Sequence, residues 1–246
     1  MLRYSDETYI PQVAIDCVIF GFRDKKLHVL VSKLYLKGDF YSLPSGFIQQ
    51  NEGLEDAAKR ILTERTGLSE IYLEHFKNFG EADRSNKAFM QQLIVKNADL
   101  IPDETEIQQQ MEWLSKRFIS IAYYALVDIN KVKPAKTALD ESLEWLEIHQ
   151  LPTLIMDQTN MVYTALGSLK QNLDKNIIIF NLLPETFIMK EVQDLYETIF
   201  ETTYARNNFQ KKILDLGVLE RLEKKFTGAQ NKAPYLYRFK KNSSQL

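Results

Sequence analysis

One cysteine stands in 246 residues, and the charges nearly cancel at 31 Lys+Arg against 33 Asp+Glu. Each shortage excludes something. Cys17 alone forms no intramolecular disulfide and anchors no cysteine-rich zinc module. No apolar run approaches the ~18 residues that a membrane-crossing helix needs, and no N-terminal stretch has the basic-then-apolar form of a secretion signal. A net charge of -2 and an isoelectric point near 6.0 argue against a uniformly basic nucleic-acid coat or an acidic disordered tail. There is no internal repeat. A soluble, cytoplasmic protein is expected.

What is present is a core and an uneven charge. At 45% hydrophobic and 11% aromatic, the chain can bury a real interior, as one large domain or two smaller ones. Residues 203–246 hold ten basic side chains (Arg206, Lys211, Lys212, Arg221, Lys224, Lys225, Lys232, Arg238, Lys240, Lys241) and three acidic ones (Asp215, Glu220, Glu223). That terminal piece is therefore +7 and residues 1–202 are -9. A basic end on an acidic body points to a nucleic-acid partner, with a solvated charged tail as the plainer alternative.

The periodicity predicts three parts. Val13 to Phe22 reads as a strand, Arg23-Asp24-Lys25-Lys26 as a turn, and Leu27 to Lys33 as its hairpin partner. After the Gly38-Asp39 turn, Phe40 to Ile48 reads as a punctuated strand. Glu55 to Arg65 reads as a helix closed by Gly67. Arg117–Val127 and Ser142–Leu146 read as strands, and the polar stretch 82–116 between helix and strand as an insertion with one or two helices. Asn160 to Lys170 is a predicted helix with Met161, Val162, Ala165, Leu166 and Leu169 on one stripe. Beyond Pro184, Lys190 to Phe200 predicts a helix with Val192, Leu195, Tyr196 and Ile199 inward. A four-residue turn leads to a second helix, Ala205 to Leu216, with Phe209, Ile213, Leu214 and Leu216 inward. A strand-like segment, Ala233 to Phe239, follows the Lys224–Lys232 loop. Helix, short turn, helix and basic hairpin outline a winged helix-turn-helix.

Gly46, Glu52, Arg60, Leu62, Glu64, Gly67 and Leu68 fit the spacing G-x5-E-x7-R-E-U-x-E-E-x-G-U, where U is apolar. This resembles the Nudix box, whose family hydrolyses nucleoside diphosphates linked to another moiety, using Mg²⁺. Glutamates at i, i+3 and i+4 share one helix face, where they can hold hard divalent cations and activate water. Here those positions are Ile61, Glu64 and Arg65. The resemblance assigns Ile61 to the catalytic-base position and Arg65 to a metal-ligand position. Ile61 cannot accept a proton, and Arg65 puts positive charge where the cation would sit. Arg60 and Glu64, four apart, read as an intrahelical ion pair. No catalytic residue, metal or cofactor is expected.

In Arg206-Asn207-Asn208-Phe209-Gln210-Lys211-Lys212, Phe209 turned inward leaves the polar residues outward. Asn and Gln can pair with adenine, Arg and Lys with guanine, and spare cations meet phosphates. Lys224, Lys225, Lys232 and Arg238 belong to the expected wing. With Leu236-Tyr237-Arg238-Phe239 and the Tyr-Tyr-Ala-Leu run at 123–126, the chain resembles Nudix-related transcriptional regulators of the NrtR and AraR type. The resemblance implies an α+β fold: a Nudix-like α/β/α sandwich with a mixed sheet over residues 1–155, a connection at 156–180, and a winged helix over 181–246. It implies a homodimer that binds a palindromic double-stranded operator as a repressor and lets go when a small molecule fills the sensor. It also implies two effector classes, a pentose such as L-arabinose or an ADP-ribose-like nucleotide.

A pyrophosphate favours clustered cations or a metal, whereas a neutral sugar favours carboxylates and an aromatic platform. Asp16 interrupts an apolar strand, Phe20 is expected on the same face, and Lys33, Asp39, Tyr41 and Tyr123 are further pocket candidates. The lost metal set tips the expectation toward the sugar. A Nudix hydrolase tethered to nucleic acid, and a sensor acting through protein partners, remain the competing readings.

Overall fold

In the structure, a computed structural model, residues 5–69, 71–84, 87–97, 112–172, 181–225 and 233–240 are described. A mixed sheet forms the first unit. It is built from β1 (Tyr9–Arg23), β2 (Lys26–Leu34), β3 (Tyr41–Ser42), β4 (Ser45–Gln49), β5 (Tyr72–Phe79), β6 (Ile119–Val127) and β7 (Asp140–Glu147). Strand β1 runs parallel to β6 and antiparallel to β2 and β4. Strands β3 and β7 extend the β2 edge, and β5 closes the other edge beside β6. The expected strand over 40–48 is two strands, because Pro44 has no amide proton to donate to a ladder.

Alternation along β1 separates two cores. Ile15, Cys17 and Ile19 face helix α1 (Leu54–Thr66), where Ala57, Ala58, Ile61 and Leu62 meet them. Val18 and Phe20 face the opposite side, toward Met161, Val162, Ala165, Leu166 and Leu169 of helix α3 (Gln158–Asn172). All five α3 stripe residues are buried as their spacing predicts. Helix α3, expected in the connection, packs on the sheet. Gly67 ends α1 at φ 72°, and its N–H returns to the Thr63 carbonyl. In the 82–116 insertion, α2 (Lys87–Asn97) lies near Phe40, with Phe89 edge-on to that ring at 5.4 Å. Residues 112–115 make a helical turn, and 98–111 lie outside the described residues.

The second unit is small. Strand β8 (Phe187–Ile188) precedes α4 (Met189–Phe200) and α5 (Arg206–Asp215), and β9 (Leu219–Lys224) and β10 (Tyr235–Phe239) follow. The sheet order β8-β10-β9 is that of a winged helix. Val192, Leu195, Tyr196 and Ile199 are buried as expected, and so are Phe209 and Ile213. Leu214 and Leu216 are not. They remain 41% and 45% exposed, because the helix ends at Asp215 and a stripe through Phe209 and Ile213 turns position 214 away. One apolar cluster runs through both units, from Val29 and Leu166 to Leu195 and Phe209.

Candidate nucleic-acid interface and sensor site

Helix α5 presents an almost continuous polar face. Phe209 and Ile213 anchor it inward, with Phe209 edge-on to Tyr196 at 5.3 Å and tilted on Tyr204 at 5.4 Å. Arg206, Asn207, Asn208, Lys211 and Lys212 are exposed, and Gln210 is half-buried. The turn before the helix is fixed by Glu197, whose carboxylate accepts from the Tyr204 amide at 3.0 Å and from Gln193 Nε2 at 2.8 Å. Those bonds hold its carboxyl below the usual range, the Tyr204 amide contributing most.

The wing supplies a second cationic edge. Lys224 and Lys225 are exposed at the end of β9, and the Lys225 amide donates to the Pro234 carbonyl. Lys232 lies outside the described residues. Arg238 is engaged: its Nε donates to Glu220 at 2.9 Å. Arg221, exposed on β9, was not among the expected residues. Its guanidinium lies 3.8 Å above the Tyr235 ring, with Lys224 5.4 Å away on that ring. Strand alternation from Leu219 carries the signal for it, but the intervening charges hide that strand.

The box helix is tied to the loop before it by Arg60. Glu52 accepts from Arg60 at 2.7 and 2.9 Å and from the Gln49 amide at 2.8 Å. Arg60 pulls the Glu52 carboxyl below the usual range. It also donates to the Phe47 carbonyl at 2.9 Å, while Glu64, expected as its partner, stands further off at 3.4 Å. Ile61 is buried against Gly46, where an added Cβ would fall 2.8 Å from its Cδ1. Arg65 does not offer its charge to the site. Its guanidinium turns into the interior and grips Asp140 at 2.5 and 3.1 Å. These residues do not fit a Mg²⁺ shell, which needs several convergent oxygens. Among the described residues no group of three His, Cys, Asp or Glu could hold a metal ion.

Of the six expected pocket residues, Lys33, Asp39 and Tyr41 come together and the other three do not join them. Asp16 is buried and accepts from Gln158 Nε2 at 2.8 Å, with a further bond to Ser120. Burial raises its carboxyl above the usual range, with those bonds opposing. Phe20 shares its face but is fully enclosed, so it offers no ring to a ligand. Lys33 lies between Asp39 at 3.4 Å and Glu141 at 3.0 Å, with Tyr41 opposite it in register. Tyr123 is on the other sheet face, edge-on to His75 at 5.5 Å. An aromatic group beside the box was missed: Tyr9, Trp113 and Phe118 surround Phe47 at 4.9 to 5.9 Å. Trp113 comes from the insertion, so no local pattern ties it to Phe47.

Residues 10–164 match the model of the NUDIX domain, well over half of the chain. The chain belongs to the Nudix family. Residues 179–239 of this Nudix protein match the NrtR DNA-binding winged helix domain, so the chain is an NrtR-type, Nudix-related regulator, as its motifs suggested. Its relatives include the "ADPR responsive transcriptional repressor NtrR" of Acinetobacter baylyi, 23% identical over 97% of this chain and 86% of the relative. Similar solved structures share the fold. Shewanella oneidensis NrtR complexed with a 27mer DNA has a TM-score of 0.71 at 20% identity, covering 93% of this chain and 94% of that one. A MutT/nudix family protein from Enterococcus faecalis has a TM-score of 0.66 at 16% identity, covering 98% and 89%. The arabinose expectation finds no support among these relatives. No helix among the described residues is long and apolar enough to cross a membrane.

Proposed function

We propose that this Nudix protein is a transcriptional repressor, a homodimer on palindromic operator DNA that lets go when its sensor binds an ADP-ribose-like nucleotide. The observation that carries the DNA half is the exposed row Arg206, Asn207, Asn208 and Lys211 on a helix anchored by Phe209 and Ile213. That row offers guanidinium and amide groups to base edges and cations to phosphates. The effector half is supported by the relative named for its ADPR response, read as ADP-ribose. This replaces the pentose reading. The box performs no hydrolysis in this proposal, since Ile61 cannot act as a base and Arg65 is committed to Asp140.

Fluorescence anisotropy with DNA from upstream of neighbouring genes tests it. Affinity falls by roughly 10³-fold or more between 50 and 200 mM salt if six or more phosphates are neutralised. Arg206→Ala and Lys211→Ala weaken the complex, and ADP-ribose dissociates it while L-arabinose does not. Salt-insensitive binding refutes the DNA half. An operator complex indifferent to ADP-ribose refutes the effector half, and Mg²⁺-dependent consumption of ADP-ribose refutes the inert box.

A further inference from the structure

The tip of the β1–β2 hairpin adopts an unfavourable backbone and is engaged away from its own sheet. Arg23 pairs with Lys26 across it. The two residues between, Asp24 and Lys25, both sit at positive φ, 51° and 58°. Two-residue turns of this kind favour Asn-Gly, since a larger side chain is disfavoured in the left-handed region. Such strain persists where surrounding contacts hold it.

Those contacts come from the winged helix. The Thr198 hydroxyl of α4 lies 3.0 Å from the Lys25 carbonyl and 2.7 Å from the Asp194 carbonyl, its one proton shared between them. Lys25 Nζ lies 3.4 Å from the Asp194 carboxylate, whose other oxygen takes Lys190 at 2.7 Å. Asp194 and Thr198 are one turn apart, so one helix face receives both. Just past Thr198, where α4 ends, Lys170 of α3 reaches Glu201 at 3.1 Å, and Glu201 is itself at φ 52°. Both ion pairs set a sensor cation against a winged-helix anion. A cleft of about 240 Å³ opens beside the tip. Lys26 and Glu147 on one side of it pair with each other, and Glu197, Thr198 and Glu201 on the other side come from the second unit, which marks it as a seam between units.

The same strand reaches the box. Strand β1 is 15 residues long, with a bulge where Gln12 sits at φ 56°. Its first half pairs with β4, Ala14 opposite Phe47 and Ile15 opposite Gly46, and its last residues form the strained tip. Strand β1 therefore touches both β4, which carries Gly46 of the box, and α4.

We propose that the β1–β2 tip, through Lys25 on Asp194 and Thr198, docks the winged helix and carries the state of the box strand β4 to it. The inference rests on the DNA-binding reading above but not on the identity of the effector. Coupling of this kind is reciprocal, so operator DNA must be felt at β4 as the effector is felt at α5.

Hydrogen exchange of the full chain, with and without operator DNA, tests it in the wild type, Thr198→Val and Lys25→Gly. Without DNA, α4 amides exchange about tenfold faster in both variants, while α1 amides keep their rates. A tip that is only a sheet turn gives the opposite for Lys25→Gly, which relieves the backbone: a firmer hairpin and an unchanged α4. With DNA, protection at residues 45–49 changes in the wild type and not in the variants. Unchanged α4 exchange, a wild-type β4 indifferent to bound DNA, or variants that keep the β4 response each overturn the inference. Failure to bind any DNA overturns the regulator reading instead, and a DNA response at β4 without an ADP-ribose response overturns only the effector.

Discussion

Arg65 stands where the box pattern has a metal-binding glutamate, and Asp140 balances its charge inside the protein, leaving only its buried Nε without a hydrogen-bond partner among the described residues. Asp140 takes both of its arms and also accepts from the Ser32 hydroxyl and from the amide and hydroxyl of Thr137. Burial pushes the Asp140 carboxyl up, but these donors, led by Arg65, hold it below the usual range. Removing one partner leaves a buried charge uncompensated. Arg65→Met costs about 3–5 kcal/mol in urea unfolding, and the double variant Arg65→Met with Asp140→Leu recovers most of it. A single-variant cost below ~1 kcal/mol excludes this account. The sign with pH follows from the lowered value. The stabilisation is complete above the unfolded carboxyl value of ~3.9 and is lost as pH falls through the lower folded value. Asp16 has the opposite slope. Its folded value is raised, so the unfolded chain releases its proton first, and stability declines as pH rises above ~3.9 until the folded value is passed. Asp140→Asn should flatten the acid side of the stability profile and Asp16→Asn the side above it, both read by urea midpoints across pH.

At the scale of elements, α5 and the wing divide the DNA work. Lys211 is exposed, so Lys211→Ala should reduce the slope of log affinity against log salt by about 1 per copy bound. Arg238 is already paired with Glu220, and Arg238→Ala should change affinity and slope less. Equal effects from the two substitutions would show that the Glu220 pair opens on DNA. The elements legible in the sequence were those with an undiluted period. Helix α4 was readable from Val192, Leu195, Tyr196 and Ile199, and α3 from its five-residue stripe, because each buries one face. Strand β5 was not. It is a sheet edge whose Lys77 and Asn78 face solvent, so no clean alternation survives. Strand β9 reads Leu-Glu-Arg-Leu-Glu-Lys, with four charges in six residues masking it. The box was legible as spacing, and the disabling of its metal set followed from residue types alone. The destination of Arg65 did not, since Asp140 is 75 positions away and only the fold brings it near.

The whole molecule joins residues 1–202, at -9, to a basic terminal piece of +7, yet its interior is not divided at that line. The cluster containing Val29, Leu166 and Leu169 continues through Leu182, Leu183 and Phe187 to Val192, Leu195 and Phe209. Two domains with separate cores can unfold separately, whereas a shared core leaves each half with exposed apolar surface when the other opens. That surface costs roughly 25 cal/mol per Å². The seam also carries Lys25–Asp194 and Lys170–Glu201, but each has one partner largely open to solvent and adds only ~0–1 kcal/mol, so the apolar contact decides cooperativity. The expected outcome is a single unfolding transition in the full chain. Fluorescence from Trp113 and Trp145, both in the sensor, should follow the same urea curve as far-ultraviolet dichroism, which also counts α4 and α5. High salt should move that common midpoint little. Two separated transitions, with the dichroism change leading the tryptophan change, would mean that the winged helix opens alone and that the shared cluster does not bind the halves into one unit.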